Sequence, residues 1–505
     1  MKDQLIQTRL QKVERMRELG VNPYPHRFEP THTSAVALEH FDALSAAEEP
    51  VTVAGRLMAL RMQGKAGFGN LQDDAGSIQI YFKKDCLDEL SFRLVKLLDL
   101  SDIIGVRGRL FVTRTGQKTV EAHEVTVLSK AIRPMPVVKR RETEDGVEAF
   151  DEVKNKEARY RQRHLDLSIN PDVREVFRKR ARIITGIRQF LDARGYVEVE
   201  TPILQPLYGG AAARPFTTHH NALDRDLYLR IADELYLKRL IVGGFDRVYE
   251  IAKNFRNEGM DRSHNPEFTS MECYAAYLDY HDMMELVESL VASLAREIHG
   301  TCVIGCDGAM LDLTPPFERL SMNDALQRWA GVGIDASDAE LLAACKRHDV
   351  ATDGNEVRTR LLDLLLSELV EPNLEGPVFL VDYPVEISPL AKRDRNGSKQ
   401  VERFELFIRG MEYANAFSEL NDPVDQRERF MAQADAREAG DDEAHPVDED
   451  FLRAVEHGMP PTGGLGLGVD RLVMLLTDQQ SIRDVLLFPA MRTEPAPGSD
   501  ELEAS

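Results

Sequence analysis

Residues 254–272 read NFRNEGMDRSHNPEFTSME and place two arginines, a histidine and three glutamates beside phenylalanines. An exposed loop does not need the aromatics, and a core segment tolerates so many charges only if they are paired or meet a ligand. RVYEIAKNF (247–255) alternates as a strand does, GMDRSHN is turn-like, and PEFTSMECYAAY (266–277) resumes the alternation, so the stretch reads as a long antiparallel hairpin. Residues two apart on a strand share a face, which groups Arg256 with Glu258 and Glu272 with Tyr274. An arginine at a hairpin tip, followed by a basic loop with Arg262 and His264, suits a triphosphate, because guanidinium takes phosphate oxygens two at a time. The competing reading is a salt-bridged surface hairpin. A second stretch, RFELFIRGMEYANAFSELNDP (403–423), sets Glu405 and Glu412 seven apart, on opposite strands of a possible hairpin. Carboxylate oxygens together with phosphates are the ligands magnesium prefers, although isolated glutamates are usually solvated.

The elements that position these groups belong to a chain of 505 residues, 43% apolar and 29% charged, a soluble globular composition with room for two to four domains. Its net charge of −22 is unevenly spread: residues 1–150 hold 22 Lys and Arg against 21 Asp and Glu, and the deficit lies in 151–505. A polyanionic partner therefore requires a local patch. Cys86, Cys273, Cys302, Cys306 and Cys345 are scattered, with no second pair or histidine near Cys302 and Cys306 at metal-site spacing, so no structural zinc is expected. The N-terminus MKDQLIQTRLQKVERMRELG has no apolar h-region and no apolar run reaches about 18 residues, which points to a cytoplasmic protein with reduced thiols and no membrane partner.

Residues 1–48 form an N-terminal helical arm, in which Leu5, Ile6, Leu10, Val13 and Leu19 recur near helical spacing; the arm either packs on its own protein or touches nucleic acid. From 49 to 133 short alternating runs such as VTVAGRLMAL, GSIQIYF and DIIGVRGRLFVT predict about five strands, the content of a small closed barrel of the oligonucleotide-binding (OB) kind. Residues 134–160, rich in proline and charge, read as a linker. Residues 161–493 mix helices and strands. FRKRARIITGIRQFLDARGY (177–196) predicts a helix, VEVETPIL a strand, and LYLKRLIVGG a helix between two strands; about 280–375 reads as a helical elaboration and 494–505 as a disordered tail. The fold class is α+β.

FRNEG followed by HNPEFT resembles motif 2 of the class II aminoacyl-tRNA synthetases. TGIRQFLDARGYVEVETPIL is similar to motif 1, which forms the dimer interface, and GLGLGVDRLVMLL (464–476) to motif 3. YRQRHLDL, GGAAARPFTTHHNALD, EISPLAKR, FSELNDP and EHGMPPTGGLGLGVDR narrow the likeness to the bacterial lysyl-tRNA synthetases, over nearly the whole chain and least at 290–370. The resemblance implies an OB-fold barrel ahead of a class II catalytic domain, built on an antiparallel sheet flanked by helices. It also implies a homodimer that activates L-lysine with ATP and transfers it to its tRNA.

By the same resemblance Arg256 touches the α-phosphate and the lysine carboxylate, Arg471 the γ-phosphate side and, with Phe268, the adenine. His264 and Asn265 belong to the nucleotide loop, Glu258 contacts the nucleotide, and Glu405 with Glu412 holds Mg²⁺, more than one ion, on the ATP phosphates. Glu272, Tyr274 and Glu419 are implied at the lysine ammonium, Glu234 and the Gly210 backbone at the α-amino group, and Asn415 at the carboxylate. Two departures stand out. Ser263 occupies the position before His264 where many relatives have a basic or hydroxyl residue, with Arg262 preceding it, and Asp233 stands where proline is frequent. In the barrel Phe68 offers a stacking platform and Arg61, Gln79 and Glu124 edge contacts, the groups that read single-stranded bases; Phe68 as a core residue is the alternative. The resemblance assigns this face to the uridine-rich anticodon of lysine tRNA.

Aspartyl- and asparaginyl-tRNA synthetases share the plan, but they need a cationic or amide reader where Glu272 and Glu419 are acids. A shortened paralogue acting on elongation factor P would lack the barrel. A noncatalytic nucleic-acid-binding paralogue would have lost Arg256, Arg471 or the paired acids.

Overall fold

The computed structural model describes residues 2–135, 139–143, 146–150, 156–352, 356–397, 399–438 and 446–493. The chain divides into two compact units, Met1–Arg159 with His164–Ile169, and Tyr160–Arg163 with Asn170–Ser505.

In the first unit the strands Val51–Gln63, Ala66–Gln72, Ser77–Lys83, Ile103–Val112 and Lys118–Ser129 close into a barrel in the order first, second, third, fifth, fourth. Period-two alternation sends Val51, Val53, Leu57, Ile78, Ile80, Phe82, Ile104, Val106 and Val120 inside. Gly108 is required at one crossing, since a Cβ there would sit 1.9 Å from the Glu121 carbonyl oxygen. The N-terminal helix Lys2–Glu18 packs on this unit: Met16 joins the barrel core, and the buried Arg9 guanidinium donates to the carbonyls of Leu100, Ala131 and Arg133.

The second unit is built on an eight-stranded sheet. Its order is Glu318–Ser321, Val378–Val381, Arg403–Ile408, Met411–Ser418, Thr462–Gly468, Glu267–Ala276, Arg247–Phe255, Val197–Glu198. Pairing is antiparallel except at the two ends. The helices Pro171–Asp192, Tyr280–His299 and Val469–Thr477 bury their apolar faces in a common core with the sheet's Met271, Cys273, Leu465 and Leu467. The opposite face is left for the site.

Three expectations need adjustment. VEVETPIL is not one strand: Val197–Glu198 pairs in the main sheet and Leu204 pairs with Leu229 in a separate three-stranded sheet, because between them Thr201 turns its N–H and hydroxyl to the Glu250 carboxylate and Pro202 has no N–H for a ladder. The interval 280–375 is more than an elaboration: Tyr280–His299 carries Met283, Val287, Leu290, Val291 and Leu294 into the sheet core, and Glu318–Ser321 is a strand of the main sheet. That helix was legible in principle, with an Asp279 capping box at its start and Gly300 at φ +76° at its end. Within 134–160 the described residues include a hairpin, Lys139–Thr143 with Gly146–Phe150, and the start of a helix at Lys156; residues 136–138, 144–145 and 151–155 and the tail from 494 lie outside the described residues.

Candidate active site

The expected hairpin is present, with Glu250 opposite Glu272 and Asn254 opposite Phe268. Continuing across the sheet, Glu272 is opposite Gly466, Gly466 opposite Asn415, and Asn415 opposite Glu405. Directly opposed residues share a face, so one rung of the sheet presents Glu405, Asn415, Gly466, Glu272 and Glu250 to the same side. The neighbouring rung adds Arg403, Phe417, Gly464 and Tyr274.

The strand Thr462–Gly468 explains why there is room above the sheet. Leu465 and Leu467 point into the core, and the alternating Gly464, Gly466 and Gly468 face the site. A Cβ on Gly464 would meet Glu419 Oε1 at 1.9 Å and the Tyr274 ring at 2.6 Å, so that glycine is demanded by packing. At Gly466 the nearest protein atoms would be 3.7 Å away, so the missing side chain there leaves space. The result is a cavity of about 350 Å³ lined by groups from the hairpin, the acidic hairpin and the glycine strand.

At one end the cavity is acidic. Glu234, Glu272 and Glu419 line it and Asp233 is buried behind them, all four nine-tenths or more buried. Lys238, on the same helix as Glu234, is the cation among them, and it pairs with both Glu234 and Glu419. Glu419 Oε1 has no hydrogen-bond partner. The Tyr274 hydroxyl donates to Glu272 Oε2 at 3.1 Å. Burial pushes the Glu272 carboxyl well above the usual range, and the neighbouring Asp233 and Glu234 push it further. Burial also raises Glu419 and Glu234, against the pull of Lys238. Glu250 is different, because Arg230 meets it at 2.7 Å and Thr201 fills its other oxygen. Gly210 approaches this end at φ +89°, its backbone packed against Ala232 and Glu234.

The other end is cationic with a paired-acid rim. The strand stops at Phe255, so Arg256 and Glu258 do not share a strand face as expected; Arg256 is held by its N–H on the Pro266 carbonyl, at the mouth of the hairpin. Its guanidinium lies 5.1 Å from the Phe268 ring centre, and Nε is buried without a partner. Burial lowers its pKa and Glu258 and Glu412 oppose the shift. Arg471 follows the glycine strand on the helix Val469–Thr477, which Asp470 anchors through Arg180 at 2.6 Å and the Thr269 N–H at 2.7 Å. Arg471 donates to the Glu412 carbonyl and to His264 Nε2, while His264 Nδ1 faces Asp261 at 2.8 Å, so Nδ1 carries the proton. Asn265 also lines the cavity, but its amide is used within the protein, on the Glu267 carbonyl and the Ala490 N–H. Ser263 folds back on Asp261.

Glu405 and Glu412 line the same cavity on the two strands of the acidic hairpin. Burial raises Glu412, and repulsion from Glu405 adds to it. Among the described residues no group of three or more His, Cys, Asp or Glu is placed to hold a metal. Several residues that the sequence reading missed tie the two ends together. Arg403 donates to Asn415 Oδ1 at 3.1 Å and to Glu405 Oε1 at 2.6 Å, and Tyr383 donates to Glu405 Oε2. The signal for Arg403 was its two-residue spacing from Glu405 in RFELF, and for Lys238 its four-residue spacing from Glu234 on a predicted helix. GLGLG carried the alternation of the floor.

On the barrel, Arg61 is opposite Phe68 and Phe68 opposite Tyr81, whose ring centre lies 4.7 Å away; Tyr81 in turn lies 5.8 Å from Phe111. Phe68 is 39% exposed, so it faces outward and is not core. Gln79 shares this face two residues from Tyr81, with its Oε1 taking the Thr119 hydroxyl. Glu124 is exposed opposite Arg107, and a bulge between Arg107 and Gly108 puts it on the same face as the Glu121 that pairs with Tyr81.

Comparison with known proteins matches residues 155–492 to the class II tRNA synthetases of the D, K and N group and residues 51–128 to the OB-fold nucleic acid binding domain. The chain is 51% identical to the lysine–tRNA ligase of Moorella thermoacetica, over 97% of this chain and 98% of that one. It is 49% identical to that of Carboxydothermus hydrogenoformans over 97% and 98%, and 50% identical to that of Enterococcus faecalis over 97% of each. An acid-lined cavity beside an arginine clamp, on a sheet of this order, is thus found in a chain that also carries an OB barrel and belongs to the lysine–tRNA ligases of class II.

Proposed function

We propose that the cavity binds lysine and ATP end to end and joins them. The observation that carries this reading is the charge imbalance at the acidic end, where four buried carboxyl groups meet Lys238, which pairs with two of them. A substrate ammonium supplies the missing charge, with Glu272, Tyr274 and the unpartnered Glu419 Oε1 around it. A neutral side chain would leave those groups unpaired and is rejected by roughly 10⁴-fold. Glu234 and the Gly210 backbone take the α-amino group, and Asn415, oriented by Arg403, the carboxylate.

Arg256 bridges the lysine carboxylate and the α-phosphate, offsetting the repulsion between two anions that must meet. A carboxylate oxygen attacks the α-phosphorus, the bond to the bridging oxygen breaks, and diphosphate leaves with that electron pair. Phe268 and Arg471 hold the adenine, Arg471, His264 and Asn265 line the phosphate and loop side, and Glu258 meets the nucleotide. The resulting lysyl-adenylate is then attacked at its carbonyl carbon by a 3′-terminal hydroxyl of the tRNA, and AMP departs. Glu405 and Glu412, two half-buried carboxylates that repel each other, fit Mg²⁺ provided that phosphate oxygens and water complete its shell. Bound there, more than one ion would neutralise developing charge on the phosphates. Phe68 and Tyr81, with Arg61 and Gln79 nearby, form the surface on which anticodon bases stack. The working unit is a homodimer formed through the Pro171–Asp192 region and located in the cytoplasm, with the domain limits set out above; among the described residues no helix is long and apolar enough to cross a membrane.

ATP–diphosphate exchange measured with each of the twenty amino acids tests the reading. Lysine alone supports exchange, and Glu272→Ala or Glu419→Ala raises its KM by roughly 150- to 5,000-fold, the effect of removing one member of a buried ion pair worth about 3–5 kcal/mol. Wild-type lysine kinetics in either variant would refute the pocket.

A further inference from the structure

Asp233 has no part in the scheme above, yet it is fully buried directly behind the acidic end of the cavity. It precedes the helix Glu234–Val242 but does not cap it, because its side chain accepts no helix N–H. Instead Oδ1 accepts from Asn254 Nδ2 at 3.1 Å, and that amide also donates to Ser270. Oδ2 is buried with no hydrogen-bond partner, and the Asp233 N–H donates to Glu272 Oε1 at 3.5 Å, which sets the two acids side by side. Two neighbouring buried carboxyl groups, joined through the Asp233 N–H and with one oxygen left unpartnered, oppose each other's ionisation.

Among the charges around the pair, Arg230 pulls Asp233 down but is itself committed to Glu250. On its own helix stand Glu234 and Lys238, the latter committed to Glu234 and Glu419. The hairpin strands contribute Glu250, neutralised by Arg230, and Tyr274, which donates to the far oxygen of Glu272. Arg256 stands toward the nucleotide end. Burial pushes Asp233 up to about 6 even with hydrogen bonds from Glu272 and Asn254 pulling it down, and Glu272 is higher still.

We propose that Asp233 and Glu272 share one proton before the amino acid binds, and that the substrate ammonium displaces this proton to solvent, making Asp233 a positioning residue for lysine selection. The inference rests on the ammonium site proposed above. The exchange balances: one positive charge enters on the substrate, one leaves as a proton, and the pocket's net charge does not change. A neutral side chain cannot displace the proton and gains nothing from entering. The sign follows from linkage: the proton competes with the ammonium, so affinity for lysine falls as pH drops through the range in which the pair holds it.

Isothermal titration calorimetry of lysine into the full chain, in buffers of different ionisation enthalpy at pH 6.5, counts the protons. Wild type releases about one per lysine, and its affinity weakens by about tenfold for each pH unit lowered in the limiting range. In Asp233→Asn, which keeps the side-chain shape, both the proton count and the slope fall below half. No proton release by wild type overturns the inference, as does equal release by wild type and Asp233→Asn. Should the variant not fold, the wild-type proton count and slope decide alone. Glu272→Gln separates the two readings: lysine bound at wild-type affinity removes the ammonium site itself, whereas weakened binding with proton release undiminished removes only the sharing.

Discussion

Replacing Lys238 with methionine tests the internal charge balance on which the acidic pocket depends. Methionine keeps most of the apolar stem but removes the ammonium that pairs with Glu234 and Glu419, in a site where Lys238 is completely buried. Removing one member of a buried pair costs about 3–5 kcal/mol, because the partner charge stays behind. At roughly 2 °C per kcal/mol for a domain of this size, the melting temperature falls by about 6–10 °C near pH 7. The loss is pH-dependent. Glu234 and Glu419 are already raised above the ordinary glutamate value, and without Lys238 they rise further. An acid with a raised folded-state value stabilises the fold below its unfolded value and loses that contribution as pH climbs through the folded one, so the deficit relative to wild type grows from pH 5 to pH 8. Thermal denaturation across that range, followed by fluorescence, reads both effects. A melting temperature within 2 °C of wild type at every pH, against the approximate expectation above, would show that Lys238 does not balance these acids.

The glycine floor gives a second contrast. Gly466→Ala leaves the fold intact, since its Cβ meets nothing closer than 3.7 Å, but raises the KM for lysine or ATP by roughly tenfold or more by occupying the cavity; unchanged KM values would mean the space above Gly466 is not used. On the barrel, Phe68→Ala keeps ATP–diphosphate exchange and loses tRNA charging efficiency by roughly 5- to 100-fold, the worth of one base–aromatic stack at about 1–3 kcal/mol. Normal charging would exclude Phe68 from the tRNA surface.

The sequence made some of this site readable and hid the rest for physical reasons. Period-two alternation marks strands, so the hairpin 247–276, the acidic hairpin at 403–418 and the barrel were visible. Which strands lie side by side is a non-local fact, and it is what brings Glu272 beside Gly466 and Asn415. Individual roles for Glu405, Glu412 and Phe268 came from resemblance, because an isolated glutamate or phenylalanine carries no signal of its own. Lys238 and Arg403 were passed over since a cation on a charged segment reads as solvated, and only burial shows otherwise. Tyr280–His299 was misjudged because a helix that closes a sheet's far side has the same amphipathic pattern as one in an insertion.

The single rung running from Glu405 through Asn415 and Gly466 to Glu272 acts as a ruler. Three strand-to-strand steps of about 4.8 Å put the two acids roughly 14 Å apart along the hydrogen-bonding direction, a length set by backbone ladders. Exchanging side chains on the rung can alter how strongly either end grips, but the span between the phosphate end and the ammonium end is invariant so long as the sheet stays in register.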